Sequence, residues 1–181
     1  GPCTRRSGKS PGIRPDSRVG KMFERCNVLT FNVFGTRPPF DRGMISVMQA
    51  TAIAHPNIAL VKYWGKSDGE RNIPAVGSVS ITLDGLTTTT RVRFEAGHSL
   101  DRFVFAGREI PAMTARVSSC LDDLRRRTGV TLRAVVESEN DFPTAAGLAS
   151  SASGFAALVV AADAALGADL PRSELADIAR S

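Results

Sequence analysis

A run of small residues between a predicted strand and a predicted helix could bring a ligand close to the backbone. Residues 142–152 read FPTAAGLASSA, and Gly147 permits backbone conformations that other residues avoid. Ser150 and Ser151 lie near the predicted helix start, where free N–H groups and the helix dipole favour an anion. Their hydroxyl groups can also bond phosphate oxygens or help to hold a metal ion. The residue types alone equally allow a tight turn with serine caps on an alanine-rich core helix.

A second candidate site combines two lysines with the single tryptophan and the single tyrosine of the chain. Residues 56–66 read PNIALVKYWGK, so that Lys62 and Lys66 are four residues apart with Tyr63 and Trp64 between them. Such a compact set of cations and hydrogen-bond donors suits phosphate and carboxylate groups. The end of a buried strand with surface lysines would have the same residues, and the segment by itself leaves that alternative open.

The positive charge of the chain is concentrated in its first quarter. The net charge is +5, but residues 1–47 carry nine Lys/Arg against three Asp/Glu, whereas residues 48–181 have a net charge of −1. The body of the protein therefore lacks the basic surface of a nucleic-acid binder. Cys3, Cys26 and Cys120 are too scattered for a disulfide framework or a zinc site, which fits a reducing compartment. No apolar run approaches the roughly 20 residues of a membrane span.

After residue 48, hydrophobic periodicity predicts one α+β domain. Turns are predicted at residues 84–85 and 106–107, and Gly129 and Gly167 are expected to end helices. The cations of residues 125–127 suit the C-terminus of the first of these helices. The predicted strands cover residues 50–55, 57–63, 78–83, 87–95, 102–105 and 130–138, and the predicted helices cover residues 113–127 and 149–166, followed by a last helix capped by Ser173 and extending through Arg180.

Residues 1–47 are rich in Gly, Pro, Ser and Arg, and their single apolar patch covers residues 28–34. We predict that they form a disordered leader, or lie upstream of a true start at Met48, and that residues 48–181 form the domain. A basic arm that contacts acidic partners is the functional alternative. An organelle transit peptide is less favoured, because Pro11 and Pro15 oppose an amphipathic helix.

The two candidate sites resemble one known family. The small-residue run lacks the Gly-Lys-Ser/Thr ending of a Walker loop, and it is similar to the GHMP small-molecule kinase pattern Pro-x-x-x-Gly-Leu-Gly-Ser-Ser-Ala. Ala149 replaces a glycine of that pattern, as in the mevalonate-pathway decarboxylases. Residues 57–66 resemble the more specific motif Asn-Ile-Ala-x-x-Lys-Tyr-Trp-Gly-Lys of the diphosphomevalonate decarboxylase family. Residues 72–74, 78–83 and 137–141 look like later family segments, although Asp141 stands where the family has Asn.

The resemblance, which covers about residues 50–181, implies a fold and a reaction. The fold is the GHMP-kinase N-terminal domain (ribosomal protein S5 domain 2-like), a mixed sheet packed with helices. The reaction uses ATP and Mg2+ to phosphorylate the tertiary 3-hydroxyl of (R)-5-diphosphomevalonate. Phosphate and CO2 then leave to give isopentenyl diphosphate and ADP. The resemblance further implies a cytoplasmic enzyme of the mevalonate pathway that is a homodimer at full length, without nucleic-acid or membrane partners.

The resemblance also assigns roles to single residues. It implies that Lys62 and Ser151 are catalytic, and Ser151 is a possible ligand of the magnesium ion. Arg116, which by itself would be taken for a solvated helix residue, aligns with an arginine that binds the substrate diphosphate. The implied substrate-binding set is Asn57, Tyr63, Trp64, Gly65, Lys66 and Arg116, and the implied ATP-binding set is Ala145, Ala146, Gly147, Leu148, Ala149, Ser150, Ser151 and Ala152.

Two catalytic groups of the family have no counterpart in residues 1–181. One is an arginine in a Gly-Ser-Gly-Ser-Ala-Cys-Arg stretch, and the other is an aspartate in the second half of the family's proteins. We therefore expect this chain to be an incomplete front half with little or no turnover by itself. The alternatives are another GHMP kinase, a decarboxylase acting on the monophosphate or, in a different class, an inactive remnant that binds nucleotide or protein partners.

Overall fold

The computed structural model of the protein describes residues 32–34, 48–61, 66–68, 73–75, 77, 79–143, 148 and 150–180. The strands are β1 (Asn32–Phe34), β2 (Met48–Ala54), β3 (Asn57–Val61), β4 (Lys66–Asp68), β5 (Ile73–Pro74), β6 (Val79–Thr82), β7 (Thr88–Glu95), β8 (Arg102–Phe105), β9 (Arg108–Glu109) and β10 (Arg133–Asn140). The helices are α1 (Pro111–Thr128), α2 (Ser150–Leu166) and α3 (Arg172–Arg180).

A six-stranded mixed sheet organises the domain. Its order is β1-β2-β7-β10-β8-β9, and β10 runs parallel to β8 while the other described neighbours are antiparallel. In the register of the central strands, Val92 lies opposite both Ala50 and Val136. The mixed sheet with its helices confirms the predicted α+β class.

The helices cover one face of this sheet. In β7 the side chains of Thr88, Thr90, Val92 and Phe94 are buried, as the alternation in the sequence predicts. Helix α2 is buried along most of its length because it packs on β2 and β7 and also contacts α1 and α3. The core on this face includes Ala52, Val92, Phe94, Val117, Leu121, Leu124, Ala134, Val136, Phe155, Leu158 and Ile178.

Helices α1 and α2 end where the sequence predicts. Gly129 adopts a left-handed conformation with φ 72°, and its N–H donates to the Arg125 carbonyl at 2.8 Å. Gly167, with φ 63°, follows the last residue of α2. The predicted turn at Ala106 and Gly107 is also confirmed, because both residues have positive φ angles. Helix α1 begins two residues earlier than predicted, with Pro111 in its first turn, where proline needs no hydrogen-bonded N–H.

The predicted cap of the last helix is wrong. Helix α3 begins at Arg172, so Ser173 lies within its first turn instead of before it. The carbonyl of Pro171 accepts the N–H groups of Glu174 at 2.9 Å and Leu175 at 3.1 Å. The cap position is therefore Pro171, and the helix starts two residues before the position that a cap at Ser173 predicted.

Three residues of the predicted disordered leader form a strand. Residues 32–34 pair antiparallel with β2, so that Asn32 lies opposite Ile53 and Phe34 opposite Thr51. Strand β1 therefore adds residues from before the predicted domain to the edge of its sheet. Its residues belong to the apolar patch at 28–34, and the outer edge of β2 offers them unpaired backbone groups. The rest of residues 1–47 lies outside the described residues.

Two further pairs of strands are separate from the main sheet. Strand β3 pairs with β6, and β4 pairs with β5, both antiparallel. The base of the β3–β6 ribbon is fixed by two bonds, from the Leu83 N–H to the Pro56 carbonyl at 2.9 Å and between His55 Nδ1 and the Leu86 carbonyl at 2.8 Å. No helix among the described residues is long and apolar enough to cross a membrane.

Candidate active site

The predicted anion-binding loop ends at the first turn of α2. Ser150 is the first residue of the helix and is half-buried, whereas Ser151 and Ala152 are exposed. The first four N–H groups of a helix have no partner within it, so this end offers donors and the positive end of the helix dipole. Leu148 is half-buried just before the helix. The other predicted loop residues, Ala145, Ala146, Gly147 and Ala149, lie outside the described residues.

A buried hydroxyl network holds this first turn against the sheet. The hydroxyl oxygens of Ser153 in α2 and Thr88 in β7 are 2.7 Å apart, and both side chains are buried. The Thr88 hydroxyl donates to Asn140 Oδ1 at 2.8 Å, so the single Ser153 hydroxyl proton is shared between the Thr88 oxygen and the Ser150 carbonyl, which is 3.1 Å away. Buried hydroxyl groups that are fully bonded resist displacement. The position of Ser150 and Ser151 is therefore set by the start of β7.

The other end of the loop, at Asp141, is bonded to Thr87, the residue that precedes Thr88. Asp141 follows β10 directly, and its carboxylate accepts the Thr87 N–H at 2.7 Å and the Thr87 hydroxyl at 2.6 Å. The Asp141 N–H donates to the Thr87 carbonyl at 3.1 Å. These bonds from the Thr87 hydroxyl and N–H lower the pKa of the Asp141 carboxyl. Asp141 thus holds the loop at the point where it leaves the sheet.

An apolar cleft of about 320 Å³ opens beside the first turn of α2. Its walls come from three separate parts of the chain, namely β8, α1 and α2, over a floor of β7 and β10. Ser150, Ser151 and the Cβ-free surface of Gly154 form one side of it. A Cβ atom built on Gly154 would have no neighbour within 4 Å. The other lining residues are Thr88, Thr90, Phe103, Phe105, Ile110, Met113, Val117, Ser138, Asn140, Phe155 and Leu158.

This arrangement suits a ligand that joins a flat apolar group to an anion. The aromatic and aliphatic walls can enclose a ring system, as ligand pockets commonly do. The hydroxyl groups and free N–H groups at the α2 start lie where the anionic part would leave the cleft. Sequence reasoning found the two serines but missed Phe103, Phe105 and Met113. Their only signal was hydrophobic periodicity, which also describes an ordinary core.

Arg116 lies next to this cleft. Its guanidinium carbon is 4.8 Å from the ring centroid of Phe155, and the ring itself lines the cleft. Such a contact is a cation–π interaction, which leaves the N–H donors of the guanidinium available at its edges. Arg116 is exposed on α1. Arg116, the predicted phosphate-binding arginine, is thus separated from the cleft by the ring of Phe155 alone.

Of the second candidate site, at residues 56–66, the structure describes residues 56–61 and Lys66. Asn57 begins β3, is half-buried and lies opposite Thr82. Lys66 begins β4 and lies opposite Pro74 in the backbone pairing. Lys62, Tyr63, Trp64 and Gly65 lie outside the described residues, so their predicted roles stay predictions.

A buried ion pair also stabilises the helix that carries Arg116. Arg125 donates to Asp101 through two nitrogens, at 2.6 and 3.0 Å, and its Nε donates to the Leu132 carbonyl at 2.9 Å. Burial by itself raises the pKa of Asp101, but bonds from Arg125 and from the Ala134 N–H outweigh it and lower that pKa. The sequence suggested only that Arg125 was one of three cations at a helix end. Its burial could not be read from that run.

Comparison of the sequence with known proteins identifies the family. A family model of the diphosphomevalonate decarboxylase-like N-terminal domain matches residues 54–181. The chain belongs to this family. The phosphomevalonate decarboxylase of Haloferax volcanii is 41% identical over 134 residues, which is 74% of this chain and 41% of that protein.

Solved structures of decarboxylases share the fold. The mevalonate diphosphate decarboxylase of Staphylococcus aureus matches with a TM-score of 0.70 and 41% identity, over 75% of this chain and 41% of that chain. The mevalonate diphosphate decarboxylase of Enterococcus faecalis, described for its mevalonate diphosphate-mediated ATP binding, matches with a TM-score of 0.68 and 44% identity, over 75% of this chain and 42% of that chain. The predicted family and fold are confirmed, and the chain spans about two fifths of the length of these decarboxylases.

Proposed function

We propose that this diphosphomevalonate decarboxylase-like domain binds ATP and (R)-5-diphosphomevalonate for an ATP-dependent decarboxylation in the mevalonate pathway. The observation that carries the proposal is the position of Ser150 and Ser151, at the free end of α2 and at the edge of the apolar cleft. Family membership adds weight, since a relative is described as binding ATP with the help of mevalonate diphosphate.

The α2 start supplies what a nucleotide triphosphate needs. Its free N–H groups and the Ser150 and Ser151 hydroxyls can donate to phosphate oxygens, and the residues from Ala145 to Ala152 would form the cradle. The adenine base of ATP would lie in the apolar cleft. No group of three or more His, Cys, Asp or Glu side chains that could hold a metal ion occurs among the described residues. Mg2+ commonly keeps several waters and is held by substrate phosphates with few protein ligands, so the Ser151 hydroxyl beside ATP phosphates fits it. When bound, the ion would neutralise charge on the transferred phosphoryl group.

The substrate carries a diphosphate and a carboxylate, which require cationic partners. We assign these partners to Lys62, Lys66 and Arg116, together with hydrogen-bonding groups of Asn57 and the 63–65 segment. Arg116 is suited to the diphosphate because its planar guanidinium can make two parallel bonds. We assign to Lys62 the stabilisation of negative charge during phosphoryl transfer.

The proposed reaction has two steps. The 3-hydroxyl oxygen of the substrate bonds to the γ-phosphorus of ATP, ADP leaves and a general base takes up the hydroxyl proton. The C–O bond to the new phosphate then breaks, the carboxylate leaves as CO2, and its bonding electrons form the double bond of isopentenyl diphosphate. We expect residues 1–181 alone to bind the ligands with little turnover, since the family's catalytic arginine and aspartate belong to the portion that this chain does not span.

A second substrate has specific support. The Haloferax volcanii relative, 41% identical, is a phosphomevalonate decarboxylase, so the monophosphate is the alternative. The Lys-Tyr-Trp-Gly-Lys segment favours the diphosphate. We further propose that the whole protein is cytoplasmic, in agreement with its few scattered cysteines, and that it forms a homodimer.

The test uses a chimera in which this chain is joined to the C-terminal portion of the Enterococcus faecalis decarboxylase that it does not match. We expect ATP-dependent release of CO2 from 5-diphosphomevalonate and at least about tenfold less from 5-phosphomevalonate, which lacks one charged group for the site to pair with. Ser151→Ala should reduce the rate, whereas Ser173→Ala, a matched serine in the first turn of α3, should not. Equal rates for Ser151→Ala and the parent would contradict the assignment.

A further inference from the structure

A single peptide group is hydrogen-bonded at both of its ends by side chains that border the two candidate binding segments. The Leu86 carbonyl accepts a bond from His55 Nδ1 at 2.8 Å, and the Thr87 N–H donates to Asp141 Oδ1 at 2.7 Å. This carbonyl and this N–H belong to the same peptide unit. Because a carbonyl oxygen only accepts, His55 carries a proton on Nδ1. His55, the peptide group and Asp141 thus form a chain of two hydrogen bonds, which we call the peptide bridge.

Each end of the peptide bridge lies at the start of a candidate binding segment. His55 immediately precedes residues 56–66, the segment to which we assign the substrate. Asp141 immediately precedes residues 142–149, which lead to the start of α2 and to the assigned site of the ATP phosphates. A displacement at either end of the bridge would therefore move the start of a ligand-binding segment.

The peptide bridge is stiff. A trans peptide unit is planar and its C=O and N–H point in opposite directions, so the two side chains bond opposite sides of a rigid plate. Hydrogen bonds in series also polarise one another, and the loss of one weakens the next. The Thr87 bonds lower the pKa of the Asp141 carboxyl, and electrostatic attraction to His55 contributes in the same direction. The two side chains therefore interact across the bridge.

Further bonds tie the same stretch of chain to both segments. The Leu83 N–H donates to the Pro56 carbonyl at 2.9 Å, and the Leu86 N–H donates to the Leu83 carbonyl at 3.3 Å. On the other side, the Thr88 hydroxyl bonds the Ser153 hydroxyl in the first turn of α2. The turn before β7 thus contacts the start of the substrate segment, the start of the loop and the start of α2.

We propose that His55 and Asp141 are positioning residues that couple the substrate segment to the nucleotide loop through the peptide bridge. Neither side chain has to touch a ligand in this role. A ligand that orders one segment restrains the bridge, so that the second ligand has less disorder to remove and binds more tightly. The proposal rests on the proposed function, because that function assigns one ligand to each segment.

Amide hydrogen exchange in the 181-residue chain, followed by NMR, tests the bridge without any ligand. The Thr87 N–H bonds Asp141 and not His55, so its exchange depends on His55 only if the two bonds are coupled. We expect His55→Ala to speed the exchange of this N–H by at least about tenfold. In His55→Asn the amide nitrogen takes the place of Nδ1, and the exchange rate should return to that of the parent chain.

Two controls separate this effect from a general loss of stability. The Ala134 N–H donates to Asp101 Oδ1 at 2.8 Å, which is the same kind of bond in another part of the domain. Its exchange should not change in His55→Ala. His98→Ala, at the only other histidine of the chain, should leave the exchange of the Thr87 N–H unchanged.

Calorimetric titration supplies a measurement that a purely structural contact would not alter. We expect mevalonate diphosphate to tighten the binding of Mg-ATP to the parent chain by about fivefold or more. This factor should fall towards one in His55→Ala and in Asp141→Ala. It should return in His55→Asn and in Asp141→Asn, which keeps an oxygen acceptor for the Thr87 N–H.

Three results would overturn the proposal. The first is an equal exchange rate of the Thr87 N–H in His55→Ala and in the parent chain. The second is faster exchange with an unchanged coupling between the two ligands, because the bridge would then be a structural contact alone. The third is a parent chain that binds both ligands independently. A parent chain that fails to bind Mg-ATP would count against the proposed function, and the exchange rates would still decide whether the bridge joins the two segments.

Discussion

The hydroxyl oxygens of Thr88 and Ser153 lie 2.7 Å apart in the interior of the domain. Thr88 is the first residue of β7, and Ser153 lies in the first turn of α2. The neighbouring residue, Thr87, holds Asp141 at the other end of the loop. Two adjacent threonines thus fix both ends of the loop to which we assign the ATP phosphates.

Removing the Ser153 hydroxyl should weaken this anchoring. Ser153→Ala leaves a buried Thr88 hydroxyl with one partner fewer, and we expect a loss of about 1 kcal/mol in the free energy of unfolding, measured in urea. Nucleotide affinity should also fall, since the first turn of α2 becomes less ordered. Ser173→Ala, exposed on α3, should change the free energy of unfolding by less than about 0.5 kcal/mol. Equal effects of the two substitutions would contradict the role of the network.

The Asp101–Arg125 pair should be essential for the fold. The Arg125 side chain is 7% exposed and that of Asp101 is fully buried, so that Arg125→Met removes the nearest cation from a buried carboxylate that keeps the Ala134 N–H bond. We expect a loss of about 3–5 kcal/mol in urea unfolding. Arg126→Met is the matched control, because the adjacent Arg126 is paired with Asp123 but is 70% exposed. Surface pairs contribute about 0–1 kcal/mol, so a comparable loss in both variants would contradict the assignment.

Asp141 should make the domain sensitive to acid. Its pKa in the folded protein lies below the ordinary value, because the Thr87 hydroxyl and N–H bond the carboxylate. The resulting stability is present above the ordinary aspartate value of about 4 and is lost as the pH falls through the lowered pKa. Asp141→Asn keeps an acceptor for the Thr87 N–H but cannot titrate.

Urea midpoints measured between about pH 3 and pH 6 test this prediction. They should fall less steeply with acid in Asp141→Asn than in the parent chain. Asp84→Asn, which changes an exposed turn carboxylate, is the control and should follow the parent. If all three proteins lose stability in parallel, the Asp141 bonds do not contribute to the acid response.

Substitutions at Gly154 should affect the stability of α2 and nucleotide binding in the cleft differently. Alanine in a helix interior is about 0.5–1 kcal/mol more stable than glycine, and a new Cβ at this position meets no other atom within 4 Å. Gly154→Ala should therefore raise the free energy of unfolding. Gly154→Leu should fill the cleft and weaken nucleotide binding by at least about tenfold, or 1.4 kcal/mol. Calorimetric titration with Mg-ATP measures this, and unchanged affinity in Gly154→Leu would show that the nucleotide lies elsewhere.

Local patterns in the sequence predicted most elements of the fold. The alternation of Thr88, Thr90 and Val92 predicted which face of β7 is buried, since that face follows from the strand period alone. Gly129 predicted the end of α1, because the left-handed conformation there favours glycine. Ser150 and Ser151 were placed correctly at a helix start. The family resemblance supplied the identity that these patterns lack.

Features that depend on contacts between distant residues could not be predicted in this way. The sequence predicted Arg125 only as a cation suited to a helix C-terminus, because its partner, Asp101, is 24 residues away. The strand at Asn32–Phe34 depends on the free edge of β2, which no local pattern reveals. The cleft likewise arises where β8, α1 and α2 meet over β7 and β10.

The most direct test of the account is calorimetric titration of Mg-ATP into the 181-residue chain in the presence of mevalonate diphosphate. The account predicts that Ser151→Ala weakens ATP binding by about tenfold or more, because a hydrogen bond to a charged group contributes about 1.5–3 kcal/mol, while Ser173→Ala binds as the parent does. Equal affinities of Ser151→Ala and the parent would contradict the central claim that the start of α2 holds the ATP phosphates.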